Sequence, residues 1–268
     1  MGKRTLEITT VNQCTVMCKF CPQQLYIDRF RQIAPSVYQL SEENFKLALS
    51  HTPKGVQIDF SGYSEPFLNP NAHKMILYAY QNGYDVVLYT TLVGLTLDKL
   101  QQLKEVKFKT IVLHTLDNLH NANIPITQNY KDVLVEFMQN FRVDGFSTMN
   151  ENFVSNDRAG LAYGAKPIHH YGPIFCEKLS SPQFVMLPNG DVQLCCMDWG
   201  LRHKLGNLFV QTYEEIVKSE PYKKIKKNKF ALDGDTLCRS CKWALPPHKL
   251  AVNEIADAGR KILKKLNL

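Results

Sequence analysis

The chain has 268 residues, of which 44% are hydrophobic and 21% charged, a balance typical of a protein with a buried core. It has no apolar run long enough to cross a membrane and no signal-peptide core at its start, so we expect a cytoplasmic protein whose cysteines serve as metal ligands or catalytic groups. The net charge of +7 permits nucleic-acid binding, but the excess lies in two lysine-rich segments, 222–229 and 259–268, without a recognised nucleic-acid motif.

The first two thirds of the chain alternate strand-like and helix-like segments. We predict strands over residues 5–10, 55–62, 84–91, 108–115 and 145–150, and helices over 40–50, 69–83, 95–106 and 130–141. Ser41 and Thr96 are suitable N-caps, and Gly83 is a helix stop. Short connections favour parallel strands with right-handed crossovers. The pattern therefore predicts an α/β fold, either doubly wound or a (β/α) barrel, with chemistry at the carboxyl ends of the strands.

Three cysteines follow the first predicted strand directly. Cys14, Cys18 and Cys21 have the spacing C-x3-C-x2-C. One loop can thus present three thiolates, which are the soft ligands that iron–sulfur clusters select. A closed zinc site, the alternative, would need a fourth ligand from a distant part of the chain. The loops over 26–39 and 114–130 are expected to set substrate specificity.

The pattern changes in the last third of the chain. Residues 182–196 predict a β-hairpin with a PNGD turn. Residues 212–228 predict a helix that is capped by Thr212 and interrupted at Pro221. Residues 251–268 predict a terminal amphipathic helix.

The other five cysteines lie after residue 155, where the alternating pattern has ended. Cys238 and Cys241 form a C-x2-C pair, and Cys195 ends a predicted strand. A hairpin that supplies one thiolate and a turn that supplies two can contribute to a four-thiolate site, which would suit either an iron–sulfur cluster or structural zinc. Cys196 is left over. It is the alternative ligand to Cys195, or a small buried hydrophobe.

The cysteine triplet, with Phe20 directly before its last member, resembles the radical S-adenosylmethionine (SAM) superfamily. The resemblance implies that the three cysteines hold a [4Fe–4S] cluster with one iron free to bind SAM. It implies reductive cleavage of SAM to a 5′-deoxyadenosyl radical, and the fold that it implies is a partial (β/α)6-type barrel.

Two further segments resemble SAM-contacting parts of that family. The segment FSGYSEP (60–66) resembles a Gly-Gly-Glu-Pro motif with a serine in place of the second glycine, and YTT (89–91) is similar to the segment that approaches the ribose. An arginine, Arg158, suits either the SAM carboxylate or the substrate, with a surface position as the alternative. The resemblance, which covers roughly residues 5–150, implies SAM contacts from Phe20, Ser61, Gly62, Tyr63, Ser64, Glu65, Thr90, Thr91 and Arg158.

The order of the later cysteines resembles the twitch domain, a shortened form of the SPASM domain. That resemblance implies an auxiliary [4Fe–4S] cluster held by Cys176, Cys195, Cys238 and Cys241. We therefore predict a barrel core over residues 1–160, an auxiliary-cluster domain over 161–250 and a terminal helix over 251–268.

The whole layout most resembles the radical SAM dehydrogenase of 2-deoxystreptamine biosynthesis. This implies hydrogen abstraction from a sugar, an aminocyclitol or a nucleotide sugar, and oxidation of an alcohol with the auxiliary cluster as electron acceptor. Arg158 and Cys196 are the candidate catalytic residues, Cys196 as a hydrogen-atom donor. The family also implies a reducing flavodoxin or ferredoxin as a partner.

Three other functions stay open at this point. The same scaffold serves redox-neutral epimerases and peptide-modifying enzymes, although the first strand begins close to Met1 and leaves little room for a leader-binding segment. A zinc-stapled nucleic-acid-binding protein is the non-enzymatic alternative. Asp198 is either a base or a turn residue, and His169 and His170 are interpreted as loop histidines.

Overall fold

A computed structural model describes residues 3–115, 121–148 and 156–250, so the predicted terminal helix over 251–268 lies outside the described residues. Within them, eight strands form one sheet in the order β5-β4-β3-β2-β1-β6-β7-β8. The strands are β1 Thr5–Ile8, β2 Gln57–Phe60, β3 Val86–Thr90, β4 Thr110–Thr115, β5 Gly145–Thr148, β6 Gln183–Met186, β7 Asp191–Gln193 and β8 Lys204–Asn207. Neighbours from β5 to β6 pair in parallel, and the last two pairs are antiparallel. The predicted α/β architecture, a partial barrel of parallel strands, is confirmed.

Helices alternate with these strands as predicted. They are α1 Gln23–Ile33, α2 Glu42–Ser50, α3 Ala72–Gln81, α4 Leu97–Leu103, α5 Gln128–Asn140, α6 Glu177–Ser180, α7 Tyr213–Val217 and α8 Glu220–Asn228. The Ser41 hydroxyl caps α2 by accepting a hydrogen bond from the backbone amide of Asn44 (3.1 Å), as expected. Thr96 lies at the N-cap of α4, but its side chain does not cap the backbone. Gly83 follows α3 with a left-handed φ of 79°, which is the predicted helix stop.

Two helices were not predicted, the four-residue α6 and the longer α1. Residues 26–39 were expected to form a loop, yet α1 covers residues 23–33 and buries Tyr26 and Phe30 completely. The usual start signals are missing, because Pro22 provides no side-chain cap and the first turn has no acidic residue. Packing of the two aromatic rings against the rest of the fold therefore forms this helix without local start signals.

The predicted hairpin is present and has a further role in the sheet. Its first strand, β6, pairs in parallel with β1 from Thr5 with Gln183 to Ile8 with Met186. A third antiparallel strand, β8, was not predicted. The predicted helix over 212–228 is two helices, and its break falls at Lys218 and Ser219 rather than at the proline. The division of the chain at residue 160 stays a prediction.

Apolar side chains fill one face of the central strands, as the pairing of Leu6 with Ile58 and of Ile8 with Phe60 shows. Leu6, Ile8, Ile58, Phe60 and Leu88 are fully buried. Because the central strands are fixed by this core, the polar residues at their carboxyl ends are held at one edge of the sheet. Among the described residues, no helix is long and apolar enough to span a membrane.

Candidate active site

The segments that follow the central strands surround a cavity of about 550 Å³. The three clustered cysteines line one part of it, and residues from the second half of the chain line another. The structure brings together in this cavity nearly all residues that the sequence predicted: Cys14, Cys18, Phe20, Cys21, Ser61, Gly62, Tyr63, Ser64, Glu65, Thr90, Thr91, Arg158, Cys176 and Cys196.

The cysteine triplet forms a compact group of thiols. The backbone amide of Cys21 donates to the carbonyl oxygen of Cys18 (2.9 Å), which curls the loop. Burial raises the pKa of Cys14 to about 11. The pKa of Cys21 falls to about 7, chiefly because the Cys18 thiol donates a hydrogen bond to it and also because the Arg158 guanidinium lies beside it. Three thiols that face one cavity, one of them ready to ionise, fit an iron–sulfur cluster.

The Glu65 carboxylate ties two strand ends together. It accepts hydrogen bonds from the Thr90 hydroxyl (2.6 Å) and from the amide (2.6 Å) and hydroxyl (2.7 Å) of Thr91. Burial raises its pKa, and these donors oppose the rise. Glu65 thus fixes the loop after β2 against the end of β3. The hydroxyl of the neighbouring Ser64 is buried and has no hydrogen-bond partner within the described chain.

The segment before Glu65 packs closely on the end of β1. Gly62 has a φ of 61°, and a Cβ atom there would lie 2.3 Å from the Thr9 hydroxyl oxygen, so only glycine fits. The side chain of Tyr63 is almost fully buried, and its hydroxyl lies within hydrogen-bonding distance of the carbonyl oxygens of Cys195 (2.9 Å) and Asp198 (3.2 Å). Tyr63 therefore connects the predicted SAM-contacting loop to the segment that carries a later cysteine.

Arg158 lies at the cavity rather than on the open surface. Its guanidinium contacts Cys21 and stands 5.4 Å from the ring centroid of Trp199. Its backbone has a left-handed φ of 48°, and the Asp157 carboxylate stabilises this turn by accepting a hydrogen bond from the amide of Ala159 (3.2 Å). The surface interpretation of Arg158 is therefore wrong.

The later cysteines form a second site. A small, largely apolar cavity is lined by Cys176, Cys195, Cys238 and Cys241. All four have free thiols, and burial raises the pKa of Cys238 to about 12 and that of Cys241 to about 11. Four thiols around one cavity fit a cluster in which each iron has one cysteine ligand. In the part of the chain that the structure describes, no three His, Cys, Asp or Glu side chains converge as ligands of a single metal ion.

The structure separates the two adjacent cysteines, Cys195 and Cys196. Cys195 lines the small cavity with the other three thiols, whereas Cys196 lines the large cavity. There the Cys196 thiol donates a hydrogen bond to Glu7, and its pKa rises to about 12, chiefly through burial. Cys195 is therefore the member of the four-thiol site.

The two cavities share a wall. Four residues line both of them: Cys176, Lys178, Met197 and Trp243. A molecule in the large cavity would therefore lie between the cysteine triplet and the four-thiol site.

Several cavity residues were not predicted from the sequence. Glu7 on β1 and Asp59 on β2 are register partners that both line the cavity. The Ser61 hydroxyl donates to the Glu7 carboxylate (3.1 Å). Burial and the charge of Glu7 raise the pKa of Asp59 to about 7. A charged residue between two buried apolar residues in each of two neighbouring strands is the signal that could have found them. Other unpredicted lining residues are Tyr89, His114, Lys178 and Trp199.

The remaining sequence candidates have structural partners. The Asp198 carboxylate accepts from the backbone amides of Arg202 (3.0 Å) and His203 (2.8 Å), as a turn residue does. His169 pairs with Asp233 (2.8 Å), and His170 contacts the carbonyl oxygen of Cys241 (3.0 Å). The two adjacent histidines therefore contact different groups.

Comparisons with known proteins agree with this arrangement. Residues 176–242 match the SPASM family, an iron–sulfur cluster-binding domain. No curated protein sequence matches the chain significantly. Among solved structures, the fold is similar to that of BtrN in complex with AdoMet and 2-DOIA, with a TM-score of 0.65 and 16% identity over 92% of this chain and 94% of that one.

A second BtrN structure, in an open conformation, has a TM-score of 0.59 and 17% identity, covering 90% of this chain and 93% of that one. The structure of anSMEcpe with bound AdoMet and a Cp18Cys peptide has a TM-score of 0.54 and 14% identity, covering 89% and 86%. The chain thus shares its fold with these solved structures, and its later part matches an iron–sulfur cluster-binding SPASM domain.

Proposed function

We propose that this protein is a radical SAM enzyme that oxidises an alcohol group of a small polar substrate and passes one electron to an auxiliary cluster at the four-thiol site. The observation that carries this proposal is the shared wall between the two cavities. A substrate in the large cavity would have the SAM site on one side and the electron acceptor on the other.

The residues around the triplet suit SAM. A [4Fe–4S] cluster on Cys14, Cys18 and Cys21 would supply the electron that cleaves SAM to a 5′-deoxyadenosyl radical. Arg158 would bind the SAM carboxylate, since its planar guanidinium can form two parallel hydrogen bonds with such a group. The unpartnered hydroxyl of Ser64 would contribute a further hydrogen bond.

The opposite wall suits a polar substrate. Glu7, Asp59, Ser61 and Lys178 offer hydrogen-bond donors and acceptors to hydroxyl groups. Oxidation removes a hydrogen atom from the carbinol carbon and a proton from its oxygen, and leaves one electron to be transferred. Asp59 would accept the proton, because its pKa of about 7 suits a general base near neutrality. The structure of BtrN in complex with 2-DOIA supports a small molecule, rather than a peptide, as the substrate.

The first test is metal content and SAM cleavage under oxygen-free conditions. We expect a brown protein with about eight irons per chain and formation of 5′-deoxyadenosine after chemical reduction with SAM. Cys18→Ala should abolish 5′-deoxyadenosine and keep about four irons at the auxiliary site. Cys196→Ala should keep both sets of irons, and so serves as the matched control. A colourless protein with stoichiometric zinc would contradict the proposal.

Epimerisation is the second candidate, because the Cys196 thiol faces the large cavity and could return a hydrogen atom to a substrate radical. The two reactions differ in their products. Oxidation yields a carbonyl compound, whereas epimerisation in deuterated water labels an inverted carbon atom. A Cys196→Ala variant that still forms the carbonyl product would favour oxidation.

A further inference from the structure

Helix α8 packs next to residues that line the four-thiol site. Tyr222, on its inner face, is fully buried and donates a hydrogen bond to the carbonyl oxygen of Leu179 (3.3 Å). Leu179 lines the small cavity beside the cysteines. The Tyr222 ring also meets the ring of Phe184 edge-on, with 5.1 Å between centroids. The inner face of α8 thus contacts Leu179, a residue in the wall of the four-thiol site.

The carboxyl end of α8 is attached to the turn that holds two of the four cysteines. Arg239 lies between Cys238 and Cys241 and is almost fully buried. Its guanidinium donates to the carbonyl oxygens of Asn228 (2.7 Å) and Ala231 (2.8 Å), at and just after the end of the helix. Displacement of α8 would therefore also displace the turn that contains Cys238 and Cys241.

The outer face of α8 is strongly basic. Residues 218–229 contain six lysines and a single acidic residue, Glu220, which pairs with Lys223 (2.6 Å). Lys223, Lys224, Lys226 and Lys227 are exposed. A basic helix face is commonly just a solvated surface. This one differs because the opposite side of the helix packs against a residue that lines the four-thiol site.

We infer that the lysine face of α8 is the docking surface for an acidic electron-transfer protein of the flavodoxin or ferredoxin class, which exchanges electrons with the auxiliary cluster. This inference rests on the proposed function, which places a cluster at the four-thiol site. Protein thiolates would ligate every iron of that cluster, so an electron must cross the protein to reach a partner. A helix with its side chains is about 10–12 Å thick, so a partner on α8 would be separated from the site by one helix.

Charge complementarity argues for this partner. An acidic protein would be steered to a basic face, and its association rate would fall as salt rises. The exchange itself moves one electron between a reduced flavin and an oxidised cluster, and it makes or breaks no bond. Nucleic acid would also be attracted to the lysines, but its binding would not involve electron transfer to or from the cluster.

The test uses full-length protein in which Cys14, Cys18 and Cys21 are replaced by alanine, so that only the auxiliary cluster can bleach. Photoreduced flavodoxin is mixed with it anaerobically in a stopped-flow instrument at several salt concentrations. The Lys224→Glu/Lys227→Glu variant should react about tenfold more slowly at low salt and lose most of its salt dependence. Its affinity for oxidised flavodoxin, measured by calorimetry, should fall in parallel.

The matched control is Lys46→Glu/Lys131→Glu, which makes the same change of charge at exposed lysines on α2 and α5. It should react like the parent protein. Equal iron content and equal reduction by dithionite would show that both variants keep the cluster. An unchanged rate in the α8 variant, or an equal loss in the control, would overturn the inference.

Two other outcomes are also decisive. If a labelled RNA or DNA duplex binds the parent but not the α8 variant, while flavodoxin kinetics are unchanged, the surface is a nucleic-acid site and the inference is wrong. If no cluster assembles at the four-thiol site, the proposed function fails together with it. An assembled cluster with unaltered kinetics removes only the docking inference.

Discussion

Two carboxyl groups meet at one side of the cavity, on neighbouring strands and in direct register. Glu7 and Asp59 are both buried, and the Ser61 hydroxyl and the Cys196 thiol each donate a hydrogen bond to Glu7. Burial and the negative charge of Glu7 both disfavour the ionised form of Asp59, so Asp59 holds its proton to about pH 7. The pair can therefore carry one negative charge and one exchangeable proton near neutral pH.

This arrangement predicts a pH-dependent effect of Asp59→Asn. Because the folded-state pKa of Asp59 lies above the usual carboxyl value, its contribution to stability is fully present at low pH and is lost as the pH rises through about 7. The amide carries no charge at any of these pH values. The unfolding free energy of the variant, relative to the parent, should therefore increase by about 2 kcal/mol between pH 5 and pH 8.

Thermal unfolding of both proteins across that pH range measures this difference. Asp132→Asn, which changes an exposed carboxyl group on α5, is the control and should show no such trend. A stability difference for Asp59→Asn that is the same at pH 5 and pH 8 would show that Asp59 is already ionised at low pH.

Residue types alone were enough to find the cysteines, because thiol spacing is a strong local signal. They were not enough to separate Cys195 from Cys196, since adjacent thiols have the same local sequence context. Only the path of the chain after β7 decides which of them faces which cavity. Glu7 and Asp59 were missed for a related reason. A single charged residue in a strand does not indicate a site until the residue that is paired with it on the neighbouring strand is known.

At the scale of elements, the loop after β2 packs the segment that we predict to contact SAM onto the end of β1. Gly62 permits this close contact, since any Cβ atom would collide with Thr9. Gly83 also has a left-handed backbone, but a Cβ atom there would meet nothing within 4 Å. The two glycines thus share a backbone requirement and differ in their surroundings.

We predict that Gly83→Ala costs about 1 kcal/mol of stability and Gly62→Ala about 3 kcal/mol. The first substitution strains only the backbone, whereas the second must also displace the end of β1. Anaerobic thermal unfolding compares the two, and iron content reports whether the triplet loop is disturbed. Equal losses of stability would mean that the contact with Thr9 relaxes without cost.

Elements with clear end signals were predictable from sequence, and elements without them were not. Thr212 forms the capping box expected at the start of α7. By contrast, α1 lacks both a side-chain cap and an acidic first turn. Strand β8 contains Gly206 and lacks the run of β-branched and aromatic residues that would indicate a strand.

At the scale of the whole molecule, the last third of the chain completes the sheet that the first part begins. Strand β6 covers the edge of β1, and β7 and β8 extend the sheet beyond it. The sequence indicated the hairpin but not its neighbour, because strand pairing over nearly 180 residues leaves no local trace. A predicted boundary at residue 160 therefore separates strands that pair with each other.

This pairing predicts that the parts do not fold separately. Residues 1–160 alone would expose an unpaired edge of β1, and residues 161–250 would lack the partner of β6. Each fragment should be insoluble or lack a cooperative unfolding transition when expressed alone. As a control, a protease site placed near the exposed Tyr163 and cut after folding should leave the two parts associated. A fragment 161–250 that folds and binds iron by itself would contradict this prediction.

Cys195 and Cys196 line different cavities and are joined by a single peptide unit. One extra residue inserted between them would double that connection and turn one thiol away from its own compartment. All eight cysteines would still be present, so neither the composition nor the spacing of the other six cysteines would reveal the change. The placement of one thiol in each cavity therefore depends on the direct adjacency of these two positions.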